Sequence, residues 1–384
     1  MPNDSLTSLP PESLQRPERL SELSQSDWNG LTDQPGPFMD WRFLTSLEEA
    51  GSVGRRVGWT PCPLLITEAG APLAGASAYL KENSHGEFVF DWAWARAAHQ
   101  AGLYWYPKLL IAAPFSPVSG PRLLGAEEQP EAARALVKAI EDRVDGDGLS
   151  SAGVNFCSAH DAHLLREAGW LERFDWQYHW ANRGYTDFDD FLSRLKRKPR
   201  KNIRAERRRV HEAGWRFHWR DGDSLSPDEL DLVDRCYQTT FALYGNLPML
   251  NRQFFGLAAQ RFGADFLVCL AEQDGEPQAA AVFWRDRQRL YGRYWGSLVD
   301  TRDVHFETCY YQGIDYCIEH GLDWFEPGAQ GEHKIRRGFL PQKTHSFHYI
   351  RHPGMRQAIA RYLKQEGEAL MAYREQLESL NPFA

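Results

Sequence analysis

The chain has 384 residues, of which 42% are hydrophobic and 25% charged, and its net charge at pH 7 is −8. A chain of this length predicts two domains, because single domains usually span about 100–200 residues. The acidic balance disfavours general affinity for nucleic acids or anionic membranes. No stretch approaches the roughly 18 apolar residues that a membrane helix needs. The cysteines show no Cys-x-x-Cys spacing, so we expect reduced thiols in a cytoplasmic protein without membrane insertion.

The first half of the chain alternates short apolar runs with amphipathic segments. Residues 1–26 are rich in Ser, Pro, Glu and Gln and predict a disordered tail. A first domain is expected over residues 27–182. Its predicted elements are strands Pro63–Glu68 and Pro72–Leu80, helix Asp91–Ala101, strand Lys108–Ala113, helix Glu131–Val144, strand Ala152–Cys157, helix Ala159–Ala168 and strand Leu171–Trp180.

The second half repeats this order of elements. Its predicted elements are strands Phe266–Glu272, Pro277–Trp284 and Leu290–Ser297, helix His305–His320, strands Asp323–Glu326 and Thr344–Ile350, and helix Met355–Leu377. A similar turn follows Glu68 and Glu272, and in each half a Gly-aromatic pair precedes a histidine in the next strand. The repetition predicts a mixed α/β fold of two tandem domains, with the second over residues 183–384.

Several segments resemble one family. They are Leu290–Gly296, His305–Gln312, Phe325–Lys334 and Arg337–Pro341, joined in the first half by His85–Trp92 and Pro114–Leu124. Together they resemble the predicted N-acyltransferases labelled peptidoglycan biosynthesis/recognition, which are distantly similar to Fem-type aminoacyl transferases. The resemblance implies two GNAT-like domains and transfer of an acyl group to an amine. It implies no tightly bound cofactor, with acyl-CoA or aminoacyl-tRNA as co-substrate.

The segment from Gly328 to Gly338 concentrates reactive side chains between glycines. Glu332 or His333 is a candidate general base for an attacking amine, and Lys334 is a candidate for holding an anion or oxyanion. A solvated charged turn is the alternative interpretation of the residues alone. With the resemblance, we also expect Gln330, Arg337, Arg293 and Tyr294 to bind substrate or donor.

The predicted helix that begins at His305 brings two more candidates. His305 and Glu307 fall in its first turn, where free N–H groups attract anions. We therefore expect Glu307 to take part in catalysis and His305 in binding, with helix capping as the alternative. The preceding segment, residues 297–304, contains no glycine, unlike the pyrophosphate loop of GNAT proteins.

A partial match to that loop lies in the first half. Arg122-Leu123-Leu124-Gly125 follows Gly120 and supplies the pattern Arg-x-x-Gly. We expect Gly120, Arg122 and Gly125 to contribute to donor binding.

A basic run extends from Arg194 to Arg209, and its core, Arg200–Glu206, is similar to a helix of Fem-type enzymes. A helix would align Arg200 and Arg204 with the arginines at 207 and 208. Such a stripe suits a polyphosphate, a nucleotide sugar or tRNA, with a solvated face as the alternative.

Three functions remain open at this point. The first is an N-acyltransferase acting on a small-molecule amine or a cell-wall precursor, with tRNA as a possible partner through the basic helix. The second is a non-catalytic module that binds an anionic cell-wall precursor through its aromatic side chains. The third is an RNA-binding protein. No metal site is expected, because the histidines at 345, 348 and 352 have no supporting carboxylate or thiol pattern.

Overall fold

The computed structural model describes residues 14–329 and 331–384. Its strands are β1 Leu14–Gln15, β2 Trp59–Pro61, β3 Leu64–Glu68, β4 Ala71–Ala76, β5 Ala78–Lys81, β6 Lys108–Ile111, β7 Ser151–Cys157, β8 Leu171–Ala181, β9 Arg216–Asp221, β10 Phe266–Gln273, β11 Glu276–Arg285, β12 Arg289–Ser297, β13 Trp324–Glu326 and β14 Leu340–Ile350.

The helices lie between groups of these strands. They are α1 Gln25–Asn29, α2 Trp41–Glu49, α3 Trp92–Gln100, α4 Pro130–Gly146, α5 Ala159–Glu167, α6 Phe188–Ser193, α7 Arg197–Glu212, α8 Pro227–Leu243, α9 Arg252–Phe262, α10 Val304–Phe306, α11 Gln312–Glu319 and α12 Pro353–Ser379. A π-helical turn, Glu307–Tyr311, joins α10 to α11. None of the described helices combines the length and the apolar character that a membrane span requires.

The described chain divides into two compact units. The first contains residues up to Phe174 and Thr344–Gly367, and the second contains Asp175–Lys343 and Glu368–Ala384. This division differs from the expected boundary between residues 182 and 183, since each unit includes a segment from the other half of the sequence.

The expected tail also needs correction. Residues 1–13 lie outside the described part, whereas Leu14 and Gln15 pair with β3, and α1 begins at Gln25.

The sheet of the first unit is built around β6. Strands β2, β5 and β6 are antiparallel neighbours, and β6 runs parallel to β7. Helix α4 forms the crossover between β6 and β7, as a parallel pair requires, and buries Leu136, Ile140 and Val144 against the sheet core. The predicted strand Pro72–Leu80 is in fact two strands, because β4 pairs with β3 while β5 joins β2 and β6.

The second unit repeats this arrangement. Strands β9 to β12 form an antiparallel series, and a helical crossover through α10 and α11 leads to β13, which is parallel to β12. That parallel pairing covers only Arg289–Tyr291 of β12, although β12 continues to Ser297. The β11–β12 pairing also shifts register after Val282. Beyond Tyr291, β12 is therefore not paired with β13, and a gap opens beside it.

Each unit completes its sheet with a strand from the other half of the sequence. In the first unit β7 pairs with β14, which comes from the second half of the chain. In the second unit β13 pairs with β8, which comes from the first half. The fold is mixed α/β, with two tandem GNAT-like units as expected. We expected the strand at 171–180 in the first domain and the strand at 344–350 in the second. The division into two units does not follow these two assignments.

Candidate active site

The turn between Gly328 and Gly338 belongs to the second unit. Its residues Glu332–Arg337 form a 3-10 helix that ends at Gly338, where φ is +95°. A Cβ atom at Gly338 would lie 2.9 Å from the ring of Phe191, so glycine is required there both for its backbone conformation and for this close packing. The C-terminal end of the 3-10 helix is therefore fixed by its packing at Gly338.

One side of this turn borders a cleft of about 600 Å³, which we call the basic cleft. Its volume lies in the range of small-molecule sites. The turn, the start of α7 and the C-terminal residues form its walls. The lining residues are Lys196, Lys198, Pro199, Asn202, Ile203, Glu206, Glu332, His333, Arg336, Arg337, Ser379, Leu380, Asn381 and Pro382. Cationic side chains outnumber carboxylates among them, so the cleft suits a ligand with an anionic group.

His333 is the exposed imidazole of the basic cleft. Its Nε2 lies 3.1 Å from the hydroxyl of Tyr310, a residue of the π-helical turn. Burial, together with the neighbouring charges of Arg337 and Lys334, lowers the pKa of His333 below its ordinary value. The ring is therefore neutral at pH 7 and has one nitrogen available to accept a proton. π-Helical turns occur frequently at functional sites.

Arg337 connects the turn to α7 and to the π-helical turn. Its Nη2 lies 3.0 Å from both carboxylate oxygens of Glu206, and its Nε donates to the Tyr311 hydroxyl at 2.8 Å. Its Nη1 donates to the carbonyl oxygen of His333 at 2.9 Å. The guanidinium also lies 3.7 Å from the centre of the Phe306 ring. Arg337 thus positions the backbone that carries His333 instead of offering a free charge to a ligand.

Lys334 points away from the basic cleft into the protein. Only 3% of it is exposed, and its Nζ donates to the carbonyl oxygens of Gly328 at 2.7 Å and Pro327 at 3.3 Å. Burial lowers the pKa of Lys334 to about 7. The side chain therefore fixes the turn, and its charge is sensitive to small changes of environment.

A small cavity of about 120 Å³ lies where β12 separates from β13. It contains three residues predicted from the sequence, Arg293, Tyr294 and His305, and also Tyr310. The remaining lining residues are Ala281, Val282, Phe283, Gly292, Trp295, Cys309 and Pro327. Burial lowers the pKa of His305 to about 4 and also lowers the pKa of Arg293. Tyr310 lines this cavity and contacts His333 of the basic cleft, so it links the two spaces.

Glu307 does not line either space. Its carboxylate is fully buried and accepts hydrogen bonds from Arg207 at 3.2 Å and Gln312 at 2.9 Å. One of its oxygens, Oε2, has no hydrogen-bond partner among the described residues. The predicted catalytic role therefore needs correction, because a carboxylate paired with arginine inside the protein is not accessible to a substrate.

The second half of the basic helix is paired with acidic neighbours. Arg204 pairs with Asp189 at 2.8 Å, and Arg207 and Arg209 pair with buried or half-buried carboxylates. Arg200 donates to the carbonyl oxygen of Ser193 at 3.4 Å. Neither Arg200 nor Arg204 lines the basic cleft, whereas Lys196 and Lys198 do. The expected stripe of free cations is thus mostly a set of ion pairs.

The glycine and arginine residues predicted in the first unit have packing roles. Arg122 is buried, and its guanidinium donates to the carbonyl oxygens of Val118, Pro121 and Asn155. Gly120 donates its N–H to the carbonyl of Phe156 at 3.1 Å. A Cβ at Gly125 would lie 2.2 Å from the carbonyl oxygen of Leu73. Their geometry explains how the loop is held. Three N–H groups of the Arg122 guanidinium are bound to backbone carbonyls, and the side chain is buried.

Sequence reasoning missed some of the cleft residues. Asn202, Glu206 and the segment 379–382 join the turn only through the fold, whereas Arg336 lies in the segment that the sequence singled out. Gln330 lies outside the described residues. Within residues 14–329 and 331–384, no group of three or more His, Cys, Asp or Glu side chains is arranged to hold a metal ion.

Comparisons with known proteins extend the interpretation. The structure is similar to that of FemX, with a TM-score of 0.54 and 12% identity over 90% of this chain and 100% of that chain. It is similar to L-PGS from Bacillus licheniformis (TM-score 0.50, 12% identity, 86% and 97% of the two chains). A third likeness is to the C-terminal domain of a putative lysylphosphatidylglycerol synthetase from Agrobacterium fabrum (TM-score 0.50, 11% identity, 82% and 95% of the two chains). At these identities the likeness shows the fold.

No curated protein matches the sequence. A family model described as peptidoglycan biosynthesis/recognition matches residues 19–384. The chain therefore belongs to the FemAB-like family.

Proposed function

We propose that the second unit transfers a small acyl or aminoacyl group to an amine of a cell-wall precursor. The observation that carries this proposal is the contact between His333 and Tyr310, which joins the basic cleft to the small cavity. A neutral imidazole with an open nitrogen supports proton removal from an amine. The adjacent cavity supports binding of the group to be transferred.

The tautomer of His333 follows from this contact. We assign the Nε2–H to donate to the hydroxyl oxygen of Tyr310, which leaves Nδ1 as the proton acceptor. Burial raises the pKa of Tyr310 above its ordinary value, so its hydroxyl stays protonated. Glu332 is less suited to this role, because its carboxylate already accepts a hydrogen bond from Tyr373.

The reaction then needs no covalent enzyme intermediate. The amine nitrogen attacks the donor carbonyl, a C–N bond forms, and the amine proton passes to His333 Nδ1. When the tetrahedral intermediate collapses, the bond to the donor sulfur or oxygen breaks, and the proton returns to that leaving group. Acyl-CoA supplies a sulfur leaving group and aminoacyl-tRNA an oxygen leaving group, and the proposal includes both donors.

The size of the small cavity supports a small transferred group. About 120 Å³ corresponds to roughly four water-sized groups. The rings of Trp295, Tyr310 and His305 line it. We expect acetyl, glycyl or alanyl groups to fit and long acyl chains to be excluded.

The basic cleft supports an acceptor that carries an anionic group beside its amine. Lys196 donates to the carbonyl oxygen of Asn381 at 2.9 Å and holds the C-terminal wall in place. Lys198 and Arg336 are exposed on the cleft surface. A phosphate or carboxylate of the acceptor would orient its amine toward His333 through these two cations.

The test is a product assay by mass spectrometry. Acetyl-CoA and alanyl-tRNA are offered separately, each with a muramyl peptide that contains a free lysine amine. We expect a product with the added acyl mass for one donor, and a loss of about tenfold or more in rate for Tyr310→Phe, since general-base steps contribute about 10²–10⁴. His320→Asn, a change in the same unit outside both spaces, is the control. Saturable binding of the peptide without product from either donor would overturn the transferase proposal in favour of a binding module.

A further inference from the structure

The lining of the small cavity distinguishes between groups that its size admits. Its volume admits both an acetyl group and a glycyl group, which differ by an ammonium group on the methyl carbon. No carboxylate occurs among the described residues that line the cavity, and their one permanent charge is that of Arg293. An α-ammonium group would therefore enter without a carboxylate partner, and burying an unpaired charge is costly.

Arg293 lies where β12 has separated from β13. Its guanidinium carbon is 5.9 Å from the centre of the Tyr294 ring, and both residues line the cavity. The side chain is half-buried, and burial lowers the pKa of Arg293 below its ordinary value. A guanidinium in such a place is stabilised by a planar anion, because a carboxylate accepts two parallel N–H groups.

Glu326 is a carboxylate whose charge acts on Arg293 from outside the cavity. Its side chain is buried, and its Oε1 accepts a hydrogen bond from Arg289 Nη1 at 2.9 Å. Its Oε2 lies 3.7 Å from His179 Nε2. Both oxygens of Glu326 therefore face other side chains of the protein, and the residue is not part of the cavity wall.

Two more cationic side chains act on residues of the cavity. The Nζ of Lys334 lies 5.8 Å from the centre of the Tyr310 ring and donates to the carbonyl oxygen of Pro327, which is also a lining residue. Burial, together with positive neighbours that include Lys334 and Arg337, lowers the pKa of His305 to about 4. The imidazole in the cavity is therefore neutral at pH 7, and the field at its ring is positive, which favours a negatively charged ligand.

We propose that the small cavity is selective for anions and that the transferred group is a short acyl group ending in a carboxylate, such as malonyl, bound through Arg293. This inference rests on the proposed function, because it concerns the group that the transfer moves. A methylene group with a carboxylate is of the size that a cavity of about 120 Å³ holds. With a thioester as the donor, the C–N bond to the acceptor amine forms, the C–S bond breaks, and the proton taken up by His333 passes to the sulfur.

Three small amides test this selectivity without any transfer. Malonamate, propionamide and glycinamide share a methylene and a carboxamide group, and they differ in the attached group, which is a carboxylate, a methyl group or an ammonium group. Each is titrated into the full-length protein and followed by saturation-transfer NMR at about pH 6.5, where the amine of glycinamide is protonated. We expect malonamate to bind at least about tenfold more tightly than glycinamide, with propionamide between them.

Variants locate the selectivity. Arg293→Gln should weaken the binding of malonamate by about tenfold, as for the loss of one hydrogen bond to a charged group, and should leave the binding of propionamide unchanged. Arg287→Gln is the matched control, since Arg287 is exposed in the turn between β11 and β12. A variant with both Lys198→Gln and Arg336→Gln tests whether malonamate binds in the basic cleft instead, and circular dichroism checks that each variant is folded.

Glycinamide that binds as tightly as malonamate, or no saturable binding of malonamate, would overturn the inference. Loss of malonamate binding in the cleft variant with full binding in Arg293→Gln would do the same. Malonyl-CoA and alanyl-tRNA are then offered with the muramyl peptide. Product from alanyl-tRNA alone would refute the inference and leave the proposed transfer standing, whereas the expected order of the amides with no product from any donor would refute the transfer and leave the anion site standing.

Discussion

Arg337 offers a quantitative test of how the turn is held beside the basic cleft. Changing Arg337 to Met preserves much of the side-chain volume but removes its contacts with Glu206, Tyr311 and the His333 carbonyl. Breaking a fully buried ion pair costs about 3–5 kcal/mol. Because the Glu206 side chain is 16% exposed, we expect a smaller penalty for the pair, about 2 kcal/mol. The lost hydrogen bonds to the Tyr311 hydroxyl and the His333 carbonyl, at roughly 0.5 kcal/mol each, together add about 1 kcal/mol.

The expected change in the free energy of unfolding is therefore about 3 kcal/mol. Urea denaturation of the wild type, Arg337→Met, Glu206→Gln and the double variant measures this change as a double-mutant cycle. We expect Arg337→Met to cost clearly less in the Glu206→Gln background, because no buried carboxylate is then left without its partner. An equal cost in both backgrounds, or a cost below about 0.5 kcal/mol as for an ordinary surface change, would refute the reasoning.

Three further predictions concern other parts of the chain. Arg122→Met should lower the free energy of unfolding by about 3 kcal/mol in urea, since three carbonyl groups lose their donor; a cost under about 1 kcal/mol would contradict the packing role. Gly296→Ala should prevent folding, measured by circular dichroism, because its Cβ would lie 1.8 Å from the carbonyl oxygen of Cys236, whereas Gly146→Ala should fold normally. Burial, with the charges of Arg173 and Lys108, lowers the pKa of His348 from 6.5 to about 3. The neutral His348 therefore contributes its full share to the free energy of unfolding above pH 6.5, and this contribution is lost as the pH falls toward 3. Between pH 7.5 and 5.0 the wild type should lose about 2 kcal/mol more than His348→Phe, and equal losses would contradict this.

Local signals in the sequence predicted many of the regular elements. The apolar runs at 108–113 and 152–157 correspond to β6 and β7, and the amphipathic segment 131–144 corresponds to α4. Helix α8 has a further signal in the sequence, a capping box between Ser226 and Glu229. The exchange of β8 and β14 had no local signal, since the pattern of a strand is the same whichever unit it completes.

The sequence predicted many of the residues of the candidate site, but only in part how their side chains are arranged. The turn after Gly328 does border a cleft, and Arg293, Tyr294 and His305 share a cavity. Glu307 is turned into the protein toward Arg207, because the π-helical turn changes the direction of the side chains that follow α10. Which cations are free depends on acidic partners distant in the sequence, so the pairing of Arg204 with Asp189 could not be read from periodicity.

The central claim is that His333 accepts the proton of the amine, and the pH dependence of kcat/KM tests it most directly. The positive charges of Arg337 and Lys334 lower the pKa of His333, while the Tyr310 hydroxyl and the Phe306 ring are neutral neighbours. The lowered pKa therefore places the acidic limb of the wild-type profile below pH 6.5. We predict that His333→Asn loses this limb and at least about 10²-fold in rate. A variant that keeps the wild-type rate and the same acidic limb would contradict the account.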